Sequence, residues 1–342
     1  MMTRTKSAIR RRGAMALWVA ITVAVLGCSS APAMATILAK KPSVSTAQLR
    51  GVTLRVGDAE SIQKVALADS GALTGAPYNV TFTEFSAGPA EFAGIQGGAI
   101  DVGSAGDTAA IFAAGGNVPF KVVAALPESG KTLAIVVPDK SPIQTVAQLK
   151  GATIAVQSGT IVEYYLVQTL KSAHLTPSDV HRDSLASTVA LAALNSGSVQ
   201  AMVTQQPYTG LAEKSGSRIL TIGNSFSFNG MVVASKSALT SKVKVAAIAD
   251  YIRRLNTAFS WARSHQAQYF QSLAAVFHIP ASLAETLGPG ITPAVSEITP
   301  KIVAETQIQA NVFHQLGELT SKLNAKTMFT SQFNSGTKAL HG

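Results

Sequence analysis

Phe85-Ser86-Ala87-Gly88-Pro89 and, a few residues on, Gly97-Gly98-Ala99-Ile100-Asp101-Val102-Gly103-Ser104-Ala105-Gly106-Asp107 are the stretches whose reading decides the fold. In each, an extended apolar segment stops on small residues and a helix opens. The first turn of a helix has backbone N–H groups without intrahelical partners and carries about half a positive charge. Two such starts aimed at one place hold an oxyanion without a metal or a cofactor.

The same alternation runs outward in both directions. Upstream, VTLRVGD at 52–58 reads as a buried strand, and Ile62, Val65, Ala66 and Asp69 have helical spacing that ends near Gly71. YNVTFTEF at 78–85 alternates as a strand, Pro89 suits a first helical turn, and AIDVGS at 99–104 is the next strand, followed by a helix closing at Gly115-Gly116. Downstream, TLAIVV at 132–137 leads into Pro138-Asp139-Lys140-Ser141-Pro142, a stiff crossing segment. A second unit then repeats the first: strand 152–156, helix from Thr160, strand 180–184, helix 186–195 and strand 198–204. MVVAS at 231–235 crosses back, and apolar stripes at 245–262 and 302–323 predict helices. This predicts an α/β fold with parallel sheets in two lobes, residues 52–137 with 230–342 and residues 138–229.

The first 35 residues carry Arg4, Lys6, Arg10, Arg11 and Arg12 with no acid, then an uncharged apolar run from Gly13 to Gly27, too short for a permanent membrane span. This is the pattern of an export signal peptide over residues 1–35. Cleavage after Ala33-Met34-Ala35 would give a soluble periplasmic protein, and the lipoprotein-like Val25-Leu26-Gly27-Cys28 offers lipid anchoring through Cys28 as the alternative. Without the leader, 23 basic residues face 18 acidic ones, so the formal charge falls from +10 to +5. The remaining Lys and Arg are scattered, which argues against a nucleic-acid partner and mildly favours a small anionic ligand. The single cysteine is Cys28, so the mature chain has no disulfide and no thiolate chemistry.

Open α/β sheets bind ligands beyond the carboxyl ends of their strands. Five turns occupy such places: Asp58-Ala59-Glu60-Ser61, Ser86-Ala87-Gly88, Ser104-Ala105-Gly106-Asp107, Gln157-Ser158-Gly159-Thr160 and Gln205-Gln206-Pro207-Tyr208. The candidate ligand-binding residues are therefore Asp58, Ser86, Gly88, Ser104, Ala105, Gly106 and Asp107 from one lobe. Gln157, Ser158, Gly159, Thr160, Gln205, Gln206 and Tyr208 come from the other. Taken singly, most have a structural alternative: Asp58 and Asp107 as helix caps, Thr160 to Glu163 as a capping box, Pro207 as a first-turn proline. Asp107 would repel an anion, so it is expected to cap its helix or else to pair with an ammonium group on the ligand.

These stretches resemble the aliphatic sulfonate-binding members of the nitrate/sulfonate/taurine family of ABC-transporter solute-binding proteins. There a Phe, small residue, Ala-Gly-Pro run precedes a Gly-Ser-x-Gly-Asp turn, and SPIQTVAQLKGATIAVQSGT at 141–160 is similar to a further family segment. The resemblance implies a two-lobed type II periplasmic-binding-protein fold that closes over its ligand, with C-terminal helices wrapping the first lobe. It also implies an ABC permease and its ATPase subunit as partners. The expected protein is a monomer with no cofactor and no metal, binding an aliphatic sulfonate, with taurine, nitrate or another small oxyanion or polar compound as alternatives. Gln205-Gln206-Pro207-Tyr208 stands where the family often has Trp-Asp-Pro-Tyr, which leaves the ligand's tail open.

An enzyme on the same fold is the competing class. It finds little support, because the mature chain lacks cysteine and His174, His181, His265, His278, His314 and His341 have no metal-ligand spacing. The glycine runs at 94–98 and 103–106 match neither dinucleotide nor P-loop patterns.

Overall fold

The computed structural model describes residues 44–287 and 292–335. The leader, both cleavage sites, Cys28 and His341 lie outside the described residues. One five-stranded sheet contains β1 (Thr53–Ala59), β2 (Asn79–Phe85), β3 (Val102–Gly106), β4 (Phe120–Ser129) and the late strand β10 (Ser227–Ser235), in the order β2-β1-β3-β10-β4. The other contains β5 (Leu133–Pro138), β6 (Thr153–Ala155), β7 (His181–Asp183), β8 (Ala201–Gln205) and β9 (Ser217–Ile222), in the order β7-β6-β8-β5-β9. The helices are α1 (Thr46–Leu49), α2 (Ile62–Asp69), α3 (Gly88–Gln96), α4 (Asp107–Gly115), α5 (Ile161–Ser172) and α6 (Ser187–Asn195). They continue as α7 (Tyr208–Lys214), α8 (Lys236–Thr240), α9 (Lys242–Ser264), α10 (Gln266–Val276) and α11 (Pro300–Gln315).

Neither sheet is wholly parallel as the alternation predicts. β10 runs antiparallel to both β3 and β4, and β5 antiparallel to β8 and β9. These are the strands that carry the chain from one sheet into the other, and each enters its new sheet against the grain. β5 belongs to the second sheet, so the crossing lies at Gly130–Thr132, ahead of the proline pair. β4 is an additional strand without a clear sequence signal, because Pro127 interrupts its pattern; at the edge of the sheet its strand partner is β10, with isolated bridges from Val122 to Phe329 and from Ala125 to Ser296, and an edge strand tolerates a proline.

The two crossings touch backbone to backbone. The Gly130 N–H donates to the Phe226 carbonyl at 2.8 Å and the Gly223 N–H to that of Leu133 at 3.1 Å. A Cβ on Gly130 would lie 2.5 Å from the Phe226 oxygen, and one on Gly223 equally close to that of Gly130. Only glycine permits this approach.

β10 is buried on both faces, which explains its unbroken apolar run. Met231 and Val233 face a core that spans both sheets, while Val232 and Ala234 face a second core under α2, α9 and α10. α9 contributes Ile248, Tyr251, Ile252, Leu255 and Phe259 to that second core, at helical spacing. Each such buried side chain is worth about 1.5–3 kcal/mol relative to exposure.

The buried carboxyls beneath the first sheet divide into two kinds. Asp101 accepts from Arg55 and Lys244, both at 2.8 Å. Burial alone would raise it, but these cations outweigh burial and hold it below the usual carboxylate range. Glu91, on α3, is fully buried where Gly57 and Gly103 leave room for it, and neither of its oxygens has a well-aligned hydrogen bond. Burial pushes it well above the usual range, the nearby Asp58 adds to the rise, and the Ser104 N–H offsets part of it. A carboxyl raised in the folded state binds its proton more tightly there than in the unfolded chain, so stability falls as pH rises from about 4.5 through the folded pKa. Glu91→Gln, which stays neutral, is expected to be more stable than the parent at pH 8 and nearly equal at pH 4.5, as read by urea denaturation at both values.

Candidate functional site

The ends of β1, β3 and β8 and the starts of α3, α4, α5 and α6 converge on a cavity of about 180 Å³ between the two sheets. Their N-cap positions are Ala87, Gly106, Thr160 and Ala186, and none gives its helix a side-chain cap. Thr160 turns its hydroxyl back to the Gln157 carbonyl instead, at 2.7 Å. By contrast Ser235, Ser241 and Thr299, which do not line the cavity, cap α8, α9 and α11 by accepting a backbone N–H. A cap of that kind is worth about 1 kcal/mol. No N-cap side chain is thus spent where four helices face one space, and apart from the Thr108 N–H, which Asp107 accepts, the polarity of those helix ends is left for whatever occupies it.

Of the residues expected from the sequence, Ser86, Gly88, Ser104, Ala105 and Gly106 line the cavity from the first sheet's side. Gln157, Thr160, Gln205 and Gln206 line it from the other. Tyr208 lines an adjoining cavity, which shares Glu60, Ser86, Ser187 and Phe277 with the first. Four expected residues are not part of the lining, and each has a local role. Asp58 is fully buried and accepts the N–H groups of Gln63 and Lys64 at 3.1 and 2.7 Å, capping α2 from beyond its N-terminus. Burial raises it to about 7, against the pull of those two N–H groups.

Asp107 is the first residue of α4, one place after the cap. It accepts the Asn229 N–H at 3.0 Å, its neighbour Thr108 at 2.8 Å and the Gln309 amide at 3.3 Å, which ties α4 to β10 and α11. Burial raises it to about 6, partly offset by these donors. Ser158 is exposed, with its N–H on the Ser184 hydroxyl at 3.2 Å. Gly159 has a left-handed φ of 72° and donates to Glu163 at 2.7 Å. The expected capping box is thus displaced by one residue, because Glu163 reaches Gly159 and not Thr160. Arg182 holds Glu163 in place at 3.1 Å and bridges to Glu318 at 2.8 Å.

Most of the lining is not among the residues expected from the sequence. Leu126, Ile161, Phe228 and Phe277 supply an apolar wall. Glu60 and Glu128 supply two carboxyls, which burial raises to about 7 and about 8 respectively. Glu60 lies in the first of the five turns, beside the Asp58 chosen there, and its left-handed φ of 62° was the feature not visible in sequence. Glu128 lies on β4, where register places it opposite Phe228 and next to Gly230. A Cβ on Gly230 would meet a Glu128 oxygen at 2.8 Å.

The family model described as ABC transporter, phosphonate, periplasmic substrate-binding protein matches residues 84–285. The chain belongs to this family of ABC-transporter periplasmic substrate-binding proteins. The alkanesulfonate-binding protein SsuA from Xanthomonas axonopodis pv. citri, solved with MOPS bound, is 26% identical, with a TM-score of 0.73 over 81% of this chain and 98% of that one. A protein of Escherichia coli (strain K12) named for binding aliphatic sulfonates is 28% identical over 288 residues, 83% of this chain and 90% of that protein. The desulfurization enzyme DSZB shares the fold alone, at 15% identity and a TM-score of 0.64 over 84–85% of this chain and 99% of that one. No helix among the described residues is long and apolar enough to cross a membrane.

Gly88 fixes how closely α3 approaches α4 at the cavity. A Cβ there would sit 2.9 Å from the Ala109 methyl and 3.0 Å from that of Ala105, neither of which can rotate away. Gly88→Ala is expected to cost about 1–3 kcal/mol of stability through overpacking, measured by thermal melting.

Proposed function

We propose that this chain captures a small organic anion, an aliphatic sulfonate, in the cavity between its sheets and delivers it to an ABC permease and its ATPase subunit. The observation that carries this reading is the set of four helix starts without side-chain caps around a space whose other wall is apolar. A sulfonate presents three oxygens to the donors and a hydrocarbon tail to Leu126, Ile161 and Phe228. The name and ligand of the two sulfonate-binding relatives support the same choice. The lobes, residues 44–129 with 227–335 and residues 133–222, turn about the paired crossings to close over the ligand. The protein acts as a monomer in the periplasm, released by cleavage after Ala35. It acts as a carrier, in keeping with the relatives named for binding sulfonates.

The family description raises a phosphonate as the second reading. Near neutral pH a phosphonate approaches two negative charges, as a phosphate monoester does with its second pKa of about 6. The described lining has no Lys or Arg and holds two carboxyls, a poor match for a dianion. The single charge of a sulfonate suits it better.

Titration calorimetry with 1-butanesulfonate, methylphosphonate, nitrate and sulfate tests the choice, with tightest binding expected for butanesulfonate. Ser104→Ala should weaken that binding roughly tenfold to a hundredfold, the worth of one hydrogen bond to a charged group. Ser158→Ala, at an exposed position, should leave it unchanged. Equal binding by the parent and Ser104→Ala would remove this serine from the site, and tighter binding of methylphosphonate would replace the ligand class.

A further inference from the structure

Arg182 ties the two lobes together through an ion pair. It stands on β7 in the second lobe, and its Nη1 donates at 2.8 Å to Glu318, which lies beyond α11 in the first. Pairs such as Arg55–Asp101 and Lys64–Glu84 lie within the first lobe, and Lys150–Asp179 lies within the second. An exposed pair contributes little, but here both side chains are largely shielded, at 27% and 21% exposure. Glu318 is also firmly set. Gly317 turns left-handed at φ 76°, and the Glu318 N–H donates to the Phe313 carbonyl at 2.9 Å, which folds the chain back over the end of α11.

The same guanidinium nitrogen reaches toward the cavity. It donates to Glu163 Oε1 at 3.1 Å, and Glu163 Oε2 accepts the Gly159 N–H at 2.7 Å. Gly159 is the left-handed residue of a turn whose Gln157 and Thr160 line the cavity. Glu163 is buried, and burial raises it; the Gly159 N–H opposes the rise, Glu318 adds to it and Arg182 opposes it. Loss of the guanidinium would favour a protonated Glu163, which accepts the Gly159 N–H less strongly. A continuous line of four groups, Glu318, Arg182, Glu163 and Gly159, thus runs from the cap of a first-lobe helix to a cavity turn of the second lobe. Beside it Tyr164 packs against Phe313, ring centres 5.8 Å apart, so the lobes meet at this place.

We infer that Arg182 is a positioning residue for the turn at 157–160, and that its bridge to Glu318 makes that hold depend on the lobes being together. With the lobes closed, the guanidinium is fixed between two carboxylates and the turn is fixed with it; with the lobes apart, the first-lobe anchor is gone. The pair therefore favours the closed arrangement and slows ligand release, although none of Arg182, Glu163 and Glu318 is among the described lining residues. Apparent affinity scales with the fraction of molecules in the binding-competent state, so a tie outside the cavity is read in binding. This rests on the carrier reading above and adds to it the contact that couples closure to the site.

Small-angle scattering of the ligand-free protein and calorimetric titration with 1-butanesulfonate test this on Glu318→Gln, Arg182→Gln and Arg182→Lys. Glu318→Gln should enlarge the ligand-free radius of gyration and weaken butanesulfonate binding about fivefold, the lower end of coupling between separate sites, with the change in the dissociation rate. Arg182→Gln should weaken binding further, and Arg182→Lys should recover part of the loss. The double variant Arg182→Gln with Glu318→Gln should bind no worse than Arg182→Gln alone, because both changes act through one guanidinium. A merely structural pair would lower the melting point and leave affinity where it was. Unchanged affinity in Glu318→Gln and Arg182→Gln overturns the positioning role, and so does an unchanged ligand-free radius of gyration in both, whatever the ligand is. If the parent binds nitrate or sulfate and no sulfonate, the sulfonate reading falls, and the same affinity ratios read with that anion decide the tie.

Discussion

Backbone N–H groups at helix starts must be satisfied, and this fold satisfies them in two different ways. At α8, α9 and α11, which begin away from the cavity, a serine or threonine accepts a first-turn N–H, as Ser241 does for α9. Where α3, α4 and α6 begin, alanine or glycine occupies the cap, and at α5 Thr160 directs its hydroxyl elsewhere. The helix ends around the cavity therefore depend on a ligand or on water for what a serine or threonine side chain supplies at α8, α9 and α11. The packing follows from this. Gly88 lets α3 come close to α4, and Asp107 pins the start of α4 to β10 and α11, so the helix starts are held by contacts behind the cavity and not by groups inside it.

The electrostatics of the first lobe have the same division. A buried carboxylate costs several kcal/mol unless it is paired or hydrogen-bonded, and Asp101 shows the paired solution with two cations. Glu91 shows the other, remaining neutral in a space made by two glycines. Where neither a cation nor N–H groups answer a buried acid, as at Glu91, burial favours its protonated form.

Much of the fold was legible in sequence because its elements have short, clean periods. The strands at 53–59 and 79–85 and the helices at 161–172 and 242–264 sit within a few residues of where alternation and apolar stripes place them. β4 was not legible, since Pro127 and the charged Glu128 break its pattern and only its position at a sheet edge makes both acceptable. The antiparallel entry of β5 and β10 was hidden too, because strand direction is a property of the crossing and not of local composition. At the site, the turns themselves could be read, yet which side chain of each turn faces the cavity could not. Asp58 and Glu60 are two residues apart, on a strand end that bends into a left-handed conformation, and that bend decides between them. Glu128 and Phe228 arrive from strands far apart in the chain and meet only through register.

The insertion of β10 between β3 and β4 has a consequence for the order in which this molecule can be built. β3 and β4 are made early and are not neighbours; the strand that joins them is synthesised only after every strand of the second sheet. Until residues 227–235 arrive, β4 has no strand to pair with and both faces of the gap are exposed apolar surface. The first sheet therefore closes through contacts of high sequence separation, the kind that make folding slow. The amino-terminal half of the chain is not an autonomous folding unit.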